Sequence, residues 1–207
     1  MLPSTGITER TFSDRLLFGV TLAELILLFP LTPTFTPVDT IYVLQHLLVL
    51  GICLSRCPPR VQDRSPASNA AVVVAYTYPY LEVASLRWLP GNPASDEAGI
   101  VLVTLAACQS LASLISLGRR FGVRPALRGL AMAGPYRVVR HPMYLSYVLA
   151  DIGYNLQEWN IATLLLTTAG WLSLLYRINA EERILSRHAD WTNYLGQVRS
   201  RLLPGLW

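Results

Sequence analysis

The chain has 207 residues, of which 52% are hydrophobic and only 14% are charged, and its formal net charge is +4. Soluble domains usually carry about 25% charged residues, so this composition indicates a single helical bundle in a membrane. The basic residues are all arginine and cluster between apolar segments, which argues against a nucleic-acid-binding domain.

Six apolar segments follow in chain order, at 16–30, 40–55, 70–89, 98–118, 143–156 and 161–176. They predict an all-α, polytopic transmembrane bundle. No small-residue cleavage site follows the first segment, so we expect it to stay as an anchor. A full crossing takes about 20 residues, and the first two and last two segments are shorter. The last two are joined only by QEWN, so five and six crossings both fit the pattern.

The arginines orient this bundle. They are abundant after the second, fourth and sixth segments and absent from the intervening loops LTPTFTPVD and PGNPASDE. With six crossings, every arginine-rich stretch lies on one side of the membrane, and the positive-inside rule makes that side cytoplasmic. The sequence therefore predicts a multi-pass membrane protein with both termini in the cytoplasm.

From Arg177 onward, charged and apolar residues alternate at helical spacing. Ile178, Ile184, Leu185 and Trp191 would then lie against the bundle. This periodicity predicts a C-terminal amphipathic helix on the cytoplasmic side, followed by a short capping tail.

Three cysteines, Cys53, Cys57 and Cys108, lack the paired spacing of a disulfide framework or a zinc site. We therefore expect no metal.

The stretch GPYRVVRHPMYLSY, residues 134–147, brings arginine, histidine and tyrosine to the start of the fifth segment. Pro142 suits the first turn of a helix, which leaves Arg140 and His141 at its positive end. Helix N-termini attract anions, so this pattern predicts a pocket for a carboxylate or phosphate. The alternative is that these arginines only anchor the helix to lipid headgroups.

Along the fifth helix, Tyr144, Tyr147, Asp151 and Tyr154 recur at three- and four-residue spacing and share one face. Asp151 lies about two turns inside the apolar segment, where a carboxylate indicates a lined cavity or an ion pair. Three other polar residues in apolar segments, Glu24, His46 and Glu82, are better explained by hydrogen bonds between helices.

Glu181 and Glu182 point about 100° apart on a helix, so at most one of them is expected to face a ligand. One interpretation is that a glutamate binds a cationic ligand group. The other is a solvated acidic pair in which Glu181 is bonded to Arg177, one turn back.

In this order, the motifs LGRRFGV, GPYRVVRHPMY, RINAEERIL and YLGQVRSRLLPGLW resemble the isoprenylcysteine carboxyl methyltransferase and phospholipid methyltransferase group of membrane enzymes. The resemblance covers roughly the second half of the chain and implies a cofactor-binding catalytic region in 118–207. The length of the chain suits a single domain over residues 1–207, in which N-terminal membrane helices in 1–117 precede that region. The resemblance also implies S-adenosylmethionine as the methyl donor. Members of this group often have glycine where this chain has Ser146.

Carried over by position, the resemblance implies a cofactor pocket formed by Tyr136, Arg140, His141, Pro142, Tyr144, Glu181 and Glu182. The residues expected to act in catalysis are Arg137, Tyr144 and Asp151. The implied acceptor is a lipophilic or prenylated molecule that enters from the membrane lipids, and the first expectation is an isoprenylcysteine-like carboxylate. An aminolipid acceptor would need a base, for which Asp151 is the candidate. The alternatives outside methyl transfer are a membrane transport module and a membrane reductase.

Overall fold

The computed structural model describes residues 12–23, 25–26, 37–92 and 94–205. The described residues form α1 Phe12–Ala23, α2 Pro37–Ser55, α3 Pro66–Trp88, α4 Asp96–Leu117, α5 Pro142–Gln157, α6 Ile161–Leu185 and α7 Trp191–Gln197, with the short strands β1 Val61–Gln62 and β2 Ala126–Leu127. The predicted helical character is confirmed for the described residues of all six apolar segments; residues 24 and 27–30 of the first lie outside them.

Local signals in the sequence explain where three of the helices begin. The side chain of Ser65 accepts a hydrogen bond from the Ser68 amide before α3, and Ser95 accepts one from Ala98 before α4. Asn160 and Thr163 form a reciprocal capping box at the start of α6. These bonds satisfy backbone amides that have no partner within the helix, and so they define the helix starts.

Loop pairing shows how the helices alternate in direction. The α2–α3 loop pairs with the α4–α5 loop through β1 and β2, which are antiparallel with Val61 opposite Leu127. At the other end, the α3–α4 loop pairs with the α5–α6 turn, where Asn92 faces Trp159. The helices from α2 to α6 therefore run up and down in turn, and the arginine-rich loops share one end of the bundle.

The backbones of α4 and α5 approach each other closely. A side-chain carbon added at Gly153 would lie 2.9 Å from the carbonyl oxygen of Gly99 and 3.0 Å from the amide nitrogen of Val103. Two glycines therefore let the backbones of these helices approach closely, which is a packing mode common between membrane helices. This contact fixes α5, and with it the start of α5, against the bundle.

Large apolar side chains point outward from the bundle. Ile115, Leu165 and Leu172 are each more than 60% exposed, as expected for side chains that face lipid. Within the part of the chain that the structure describes, two segments, Asp96–Arg120 and Ile161–Leu185, are long and apolar enough to cross a membrane. The number of complete crossings, five or six, stays a prediction.

The C-terminal region differs from the sequence prediction. The predicted amphipathic helix does not begin at Arg177, because α6 continues without a break from Ile161 to Leu185. The proposed buried face is nonetheless confirmed for Ile178, Ile184 and Trp191, which are at most 7% exposed. The amphipathic stretch thus forms the last turns of α6 and the short helix α7.

The isolated polar residues of the apolar segments have different surroundings. Glu82 on α3 accepts a hydrogen bond from the Thr167 hydroxyl of α6, which confirms the expected bond between helices. The ring of His46 contacts the carbonyl of Tyr42 within α2 at 2.6 Å. Glu24 lies outside the described residues.

Candidate active site

A cleft opens at the arginine-rich end of the bundle, between the start of α5 and the last turns of α6. It encloses about 820 Å³ of empty space, part of which is open to solvent. The α4–α5 loop covers one side of it, and α7 closes another through Trp191 and Tyr194. The cleft therefore combines residues that are far apart in the sequence.

Backbone contacts with the C-terminal tail hold the start of α5 in place. The amide of Arg140 donates to the carbonyl of Ser200 at 3.0 Å, and the amide of His141 donates to the carbonyl of Arg201 at 2.9 Å. In addition, the hydroxyl of Tyr194 donates to the carbonyl of Tyr136 at 2.8 Å. The tail and α7 thus hold the Arg-His-Pro segment in position.

Glu182 is bonded to three basic side chains. Its carboxylate oxygens lie 2.8 Å from Arg140 Nη1, 3.2 Å from His141 Nε2 and 2.7 Å from Arg201 Nη2. The anion pocket expected at the start of α5 is therefore already occupied by a carboxylate of the chain itself. A ligand anion in this cleft needs a different partner.

Glu181 faces the cleft and is bonded to Tyr144. The hydroxyl of Tyr144 donates to Glu181 Oε1 at 2.6 Å, and His141 Nδ1 lies 3.7 Å from Glu181 Oε2. The expected division between the two adjacent glutamates is thus present, with Glu181 toward the cleft and Glu182 in the ion cluster. The bond between Glu181 and Arg177 that the alternative interpretation required is not formed among the described residues.

Arg177 is a cleft residue that sequence reasoning treated only as a possible partner of Glu181. Its guanidinium carbon lies 5.0 Å from the centre of the Tyr144 ring, and its Nη2 donates to the carbonyl of Val123 at 3.0 Å. The side chain is only 6% exposed. A buried arginine in an apolar helix indicates a functional residue. The place of Arg177, directly after the sixth apolar segment, was the signal in the sequence that could have pointed to it.

Tyrosine side chains form the aromatic part of the cleft. The rings of Tyr144 and Tyr147 meet edge to face with centroids 6.1 Å apart, and the His141 ring lies 5.6 Å from that of Tyr144. Burial and the nearby carboxylate of Glu181 raise the pKa of Tyr136 well above its ordinary value. Burial raises the pKa of Tyr194 to about 12, although Arg140 opposes the shift. Both of these phenols are therefore protonated at neutral pH.

The structure does not bring every predicted residue into the cleft. Tyr136, Arg140, His141, Tyr144 and Glu181 all line it. The exposed side chain of Arg137 does not, and neither do Asp151, Glu182 and Pro142, of which Pro142 is fully buried at the start of α5. Ser146, in the place of the usual glycine, is buried and donates to the carbonyl of Met143 at 2.6 Å.

Asp151 belongs to a second polar group, deeper in the bundle. It lies seven residues beyond Tyr144, or about 10 Å along the axis of α5. Its carboxylate accepts hydrogen bonds from the Tyr78 hydroxyl of α3 at 3.1 Å and from the Trp171 indole of α6 at 2.8 Å. Asp151 thus joins three helices and has hydrogen-bond donors on two sides.

One comparison with known proteins bears on this site. The family model described as phospholipid methyltransferase matches residues 97–188. This range contains α4, the loop that covers the cleft, α5 and α6, and it includes both halves of the Tyr144–Glu181 contact. Over these residues, the match agrees with the family that the ordered motifs resemble. No curated protein matches the chain.

Proposed function

We propose that this protein transfers a methyl group from S-adenosylmethionine to a lipophilic acceptor in the membrane, because residues 97–188 match the family model described as phospholipid methyltransferase. The family supports a membrane methyltransferase. The observation that carries the proposal is the Tyr144–Glu181 pair, which joins α5 and α6 across the cleft. This contact brings together GPYRVVRHPMY and RINAEERIL, the two motifs that the resemblance assigned to the cofactor.

The residues of the cleft fit this cofactor, which when bound supplies an electrophilic methyl group on a sulfonium. The carboxylate of Glu181 suits an ammonium or a ribose hydroxyl. The faces of Tyr144 and Tyr147 suit the sulfonium charge. Because Glu182 already neutralises Arg140, we assign the cofactor's carboxylate to Arg120, an exposed arginine of the cleft.

For the acceptor, we propose an isoprenylcysteine-like carboxylate. Arginines predominate among the charged residues of the cleft, and Glu181 is its single carboxylate among the described residues. This charge balance favours an anionic acceptor. A carboxylate also needs no general base, whereas an amine does, and Asp151 lies outside the cleft with its carboxylate bonded to Tyr78 and Trp171. The aminolipid acceptor is the second candidate, because the matching family model is named for phospholipids.

The test uses the purified protein in lipid nanodiscs. We expect saturable binding of S-adenosylmethionine by calorimetry and transfer of a labelled methyl group to a farnesyl thioether acid. A parallel assay with phosphatidylethanolamine examines the second candidate. Absence of cofactor binding by the folded protein would remove the proposed function. Methylation of phosphatidylethanolamine alone would instead transfer the assignment to the aminolipid.

A further inference from the structure

We infer that the outer side of the turn Gly134–Arg137, away from the cleft, is a binding site for an anionic phospholipid of the cytoplasmic leaflet. This single turn of 3-10 helix, the GPYR turn, lies in the α4–α5 loop shortly before α5 begins. Tyr136 lines the cleft, whereas Arg137 is exposed and does not. A lipid bound on this exposed side has no part in the proposed methyl transfer.

The GPYR turn lies beside the cytoplasmic end of α4. Gly134 has a φ of +56°, a conformation that favours glycine. A side-chain carbon added there would collide with Oγ of Ser116, so the turn packs directly against α4. Ser116 lies inside Asp96–Arg120, one of the two segments long and apolar enough to cross a membrane. The turn is therefore at the depth of the membrane boundary rather than out in the cytoplasm.

Exposed apolar side chains flank the GPYR turn. Val138 directly follows it and is 60% exposed, and Met132 precedes it by two residues and is 45% exposed. Single exposed apolar side chains are common on the surfaces of soluble proteins. Here they lie next to the end of a membrane segment, where the upper parts of the acyl chains can cover them.

The C-terminal tail reaches a similar depth. Leu202 packs against the buried cluster that contains Leu174 and Ile178 of α6, so the tail extends alongside the second apolar segment. The next residue, Leu203, is 46% exposed, and Arg199 is exposed as well. An exposed apolar side chain close in sequence to an exposed arginine thus occurs both in the GPYR turn and in the tail, and the tail is bonded to the start of α5.

The charge of Arg137 selects an anionic lipid. No ion pair among the described residues involves Arg137, whereas Arg140, three residues later, is paired with Glu182. An arginine at the membrane boundary extends its side chain to the headgroups, and anionic lipids of the cytoplasmic leaflet attract it. Its guanidinium can form two parallel hydrogen bonds to the phosphate oxygens. The two arginines of GPYRVVR therefore have different roles, because Arg140 holds the site together and Arg137 binds the lipid.

A spin label tests the depth of the GPYR turn, with the full chain in nanodiscs of phosphatidylcholine and phosphatidylglycerol. The label is attached at Val138→Cys on a background with Cys57→Ser and Cys108→Ser, since Cys53 is buried. We expect the label to be relaxed more by oxygen, which concentrates among the acyl chains, than by a water-soluble nickel chelate.

The control label is attached at Arg187→Cys, beyond the end of α6 at Leu185. Ile178, in the cluster against which the tail packs, lies about 10 Å before that end along the helix axis. Arg187 is exposed and further from the membrane, so the control label should be relaxed more by the nickel chelate.

Energy transfer identifies the lipid beside the GPYR turn. A fluorophore replaces the spin label at Val138→Cys, and phosphatidylglycerol with a labelled acyl chain is titrated into phosphatidylcholine nanodiscs. We expect local enrichment that Arg137→Gln weakens about fivefold, as for one arginine near an anionic surface. Arg187→Gln removes the same charge from an exposed side chain and should leave the enrichment unchanged. Excess glycerol phosphate should not displace the labelled lipid, because the acyl chains also hold it.

The lipid site is overturned if the label at Val138→Cys is relaxed more by the nickel chelate than by oxygen, since the turn would then lie in water. Protection from both reagents would also overturn it, because a second copy of the chain would then cover the turn. Equal enrichment in the wild type and Arg137→Gln would contradict the role of Arg137, and displacement by glycerol phosphate would indicate a site for a free phosphate instead. Neither measurement involves the cofactor, so both are separate from the test of the proposed function.

Discussion

At the scale of single residues, one side chain of the acidic pair holds the helices in position and the other faces the cleft. Glu182 contacts Arg140, His141 and Arg201, and these contacts tie α5, α6 and the tail together. Glu181, the adjacent residue, instead meets Tyr144 inside the cleft. Because successive helix positions point about 100° apart, one glutamate can hold the site together while the other stays available to a ligand.

Tyr144→Phe should weaken cofactor binding or methyl transfer by about tenfold to a hundredfold, because it removes a hydrogen bond to a charged group. The ring that contacts Arg177 stays, so the fold should persist. The matched control is Tyr154→Phe on the same helix, where the lost hydroxyl contacts Tyr42 at 3.1 Å, away from the cleft. Calorimetry and transfer assays on both variants test this, and equal effects would contradict it.

Asp151→Asn should lower the stability of the bundle by about 1–3 kcal/mol, because an amide can accept hydrogen bonds only at its oxygen. The amide oxygen can take the place of Oδ2, which both donors reach, but it is uncharged and accepts more weakly, and the NH₂ group then lies 3.1 Å from the Tyr78 hydroxyl at the other oxygen position. Thermal unfolding in detergent provides the measurement. Cofactor affinity should stay unchanged, since Asp151 does not line the cleft. A loss of cofactor binding with stability preserved would place Asp151 in the site.

The residues of the site differ in whether their neighbours in the sequence are enough to predict their role. His141 and Pro142 could be predicted because a histidine and a proline mark the start of an apolar helix. The role of Glu182 could not, because its partner Arg201 follows it by 19 positions and meets it only through the folded tail. Arg177 was recognised as charged, but its contact with the Tyr144 ring joins two helices.

At the scale of helices, the apolar pattern predicted the core segments and misplaced one boundary. Hydropathy falls at Arg177, yet α6 continues to Leu185. The reason is that Arg177 is accommodated inside the cleft by Val123 and the Tyr144 ring. A charged residue ends an apolar segment of the sequence. It ends a helix only where the backbone amides and carbonyls form better hydrogen bonds outside the helix.

Gly153→Ala should destabilise the bundle by about 1–3 kcal/mol, as overpacking usually does. Its new carbon would meet backbone atoms of α4 at 2.9 and 3.0 Å, and these cannot rotate away. Gly51→Ala on α2 is the matched control, since no atom lies within 4 Å of its added carbon. There, alanine should be neutral or stabilise by up to about 1 kcal/mol. Unfolding temperatures in one detergent compare the two, and equal shifts would contradict the close crossing.

At the scale of the whole molecule, charge and loop pairing support the same orientation. The β1–β2 pair joins the two arginine-rich loops that follow α2 and α4. The opposite loops, which meet through Asn92 and Trp159, belong to stretches without arginine. The cleft opens among the arginines, so on the positive-inside rule the water-soluble cofactor would reach it from the cytoplasm.

The pairing of the α3–α4 loop with the α5–α6 turn also bears on the choice between five and six crossings. The amide of Asn92 donates to the carbonyl of Trp159 at 2.7 Å, and the amide of Ser95 donates to the carbonyl of Leu156 at 2.7 Å. A hairpin that turned back inside the membrane would keep its turn away from the loop before α4. Because the two are bonded, we predict that α5 and α6 both cross completely and that the α5–α6 turn reaches the non-cytoplasmic surface.

Cysteine labelling with a membrane-impermeant maleimide tests this in intact cells, on a background with Cys57→Ser and Cys108→Ser; Cys53 is buried. Asp96→Cys and Glu158→Cys should react from outside, whereas Arg187→Cys should react only after permeabilisation, because three helices separate it from Asp96. All three positions are exposed in the fold, so a failure to react reflects the membrane rather than packing. Reaction of Asp96→Cys but not Glu158→Cys in intact cells would mean an incomplete hairpin. Reaction of Arg187→Cys alone would reverse the orientation and place the mouth of the cleft outside the cell.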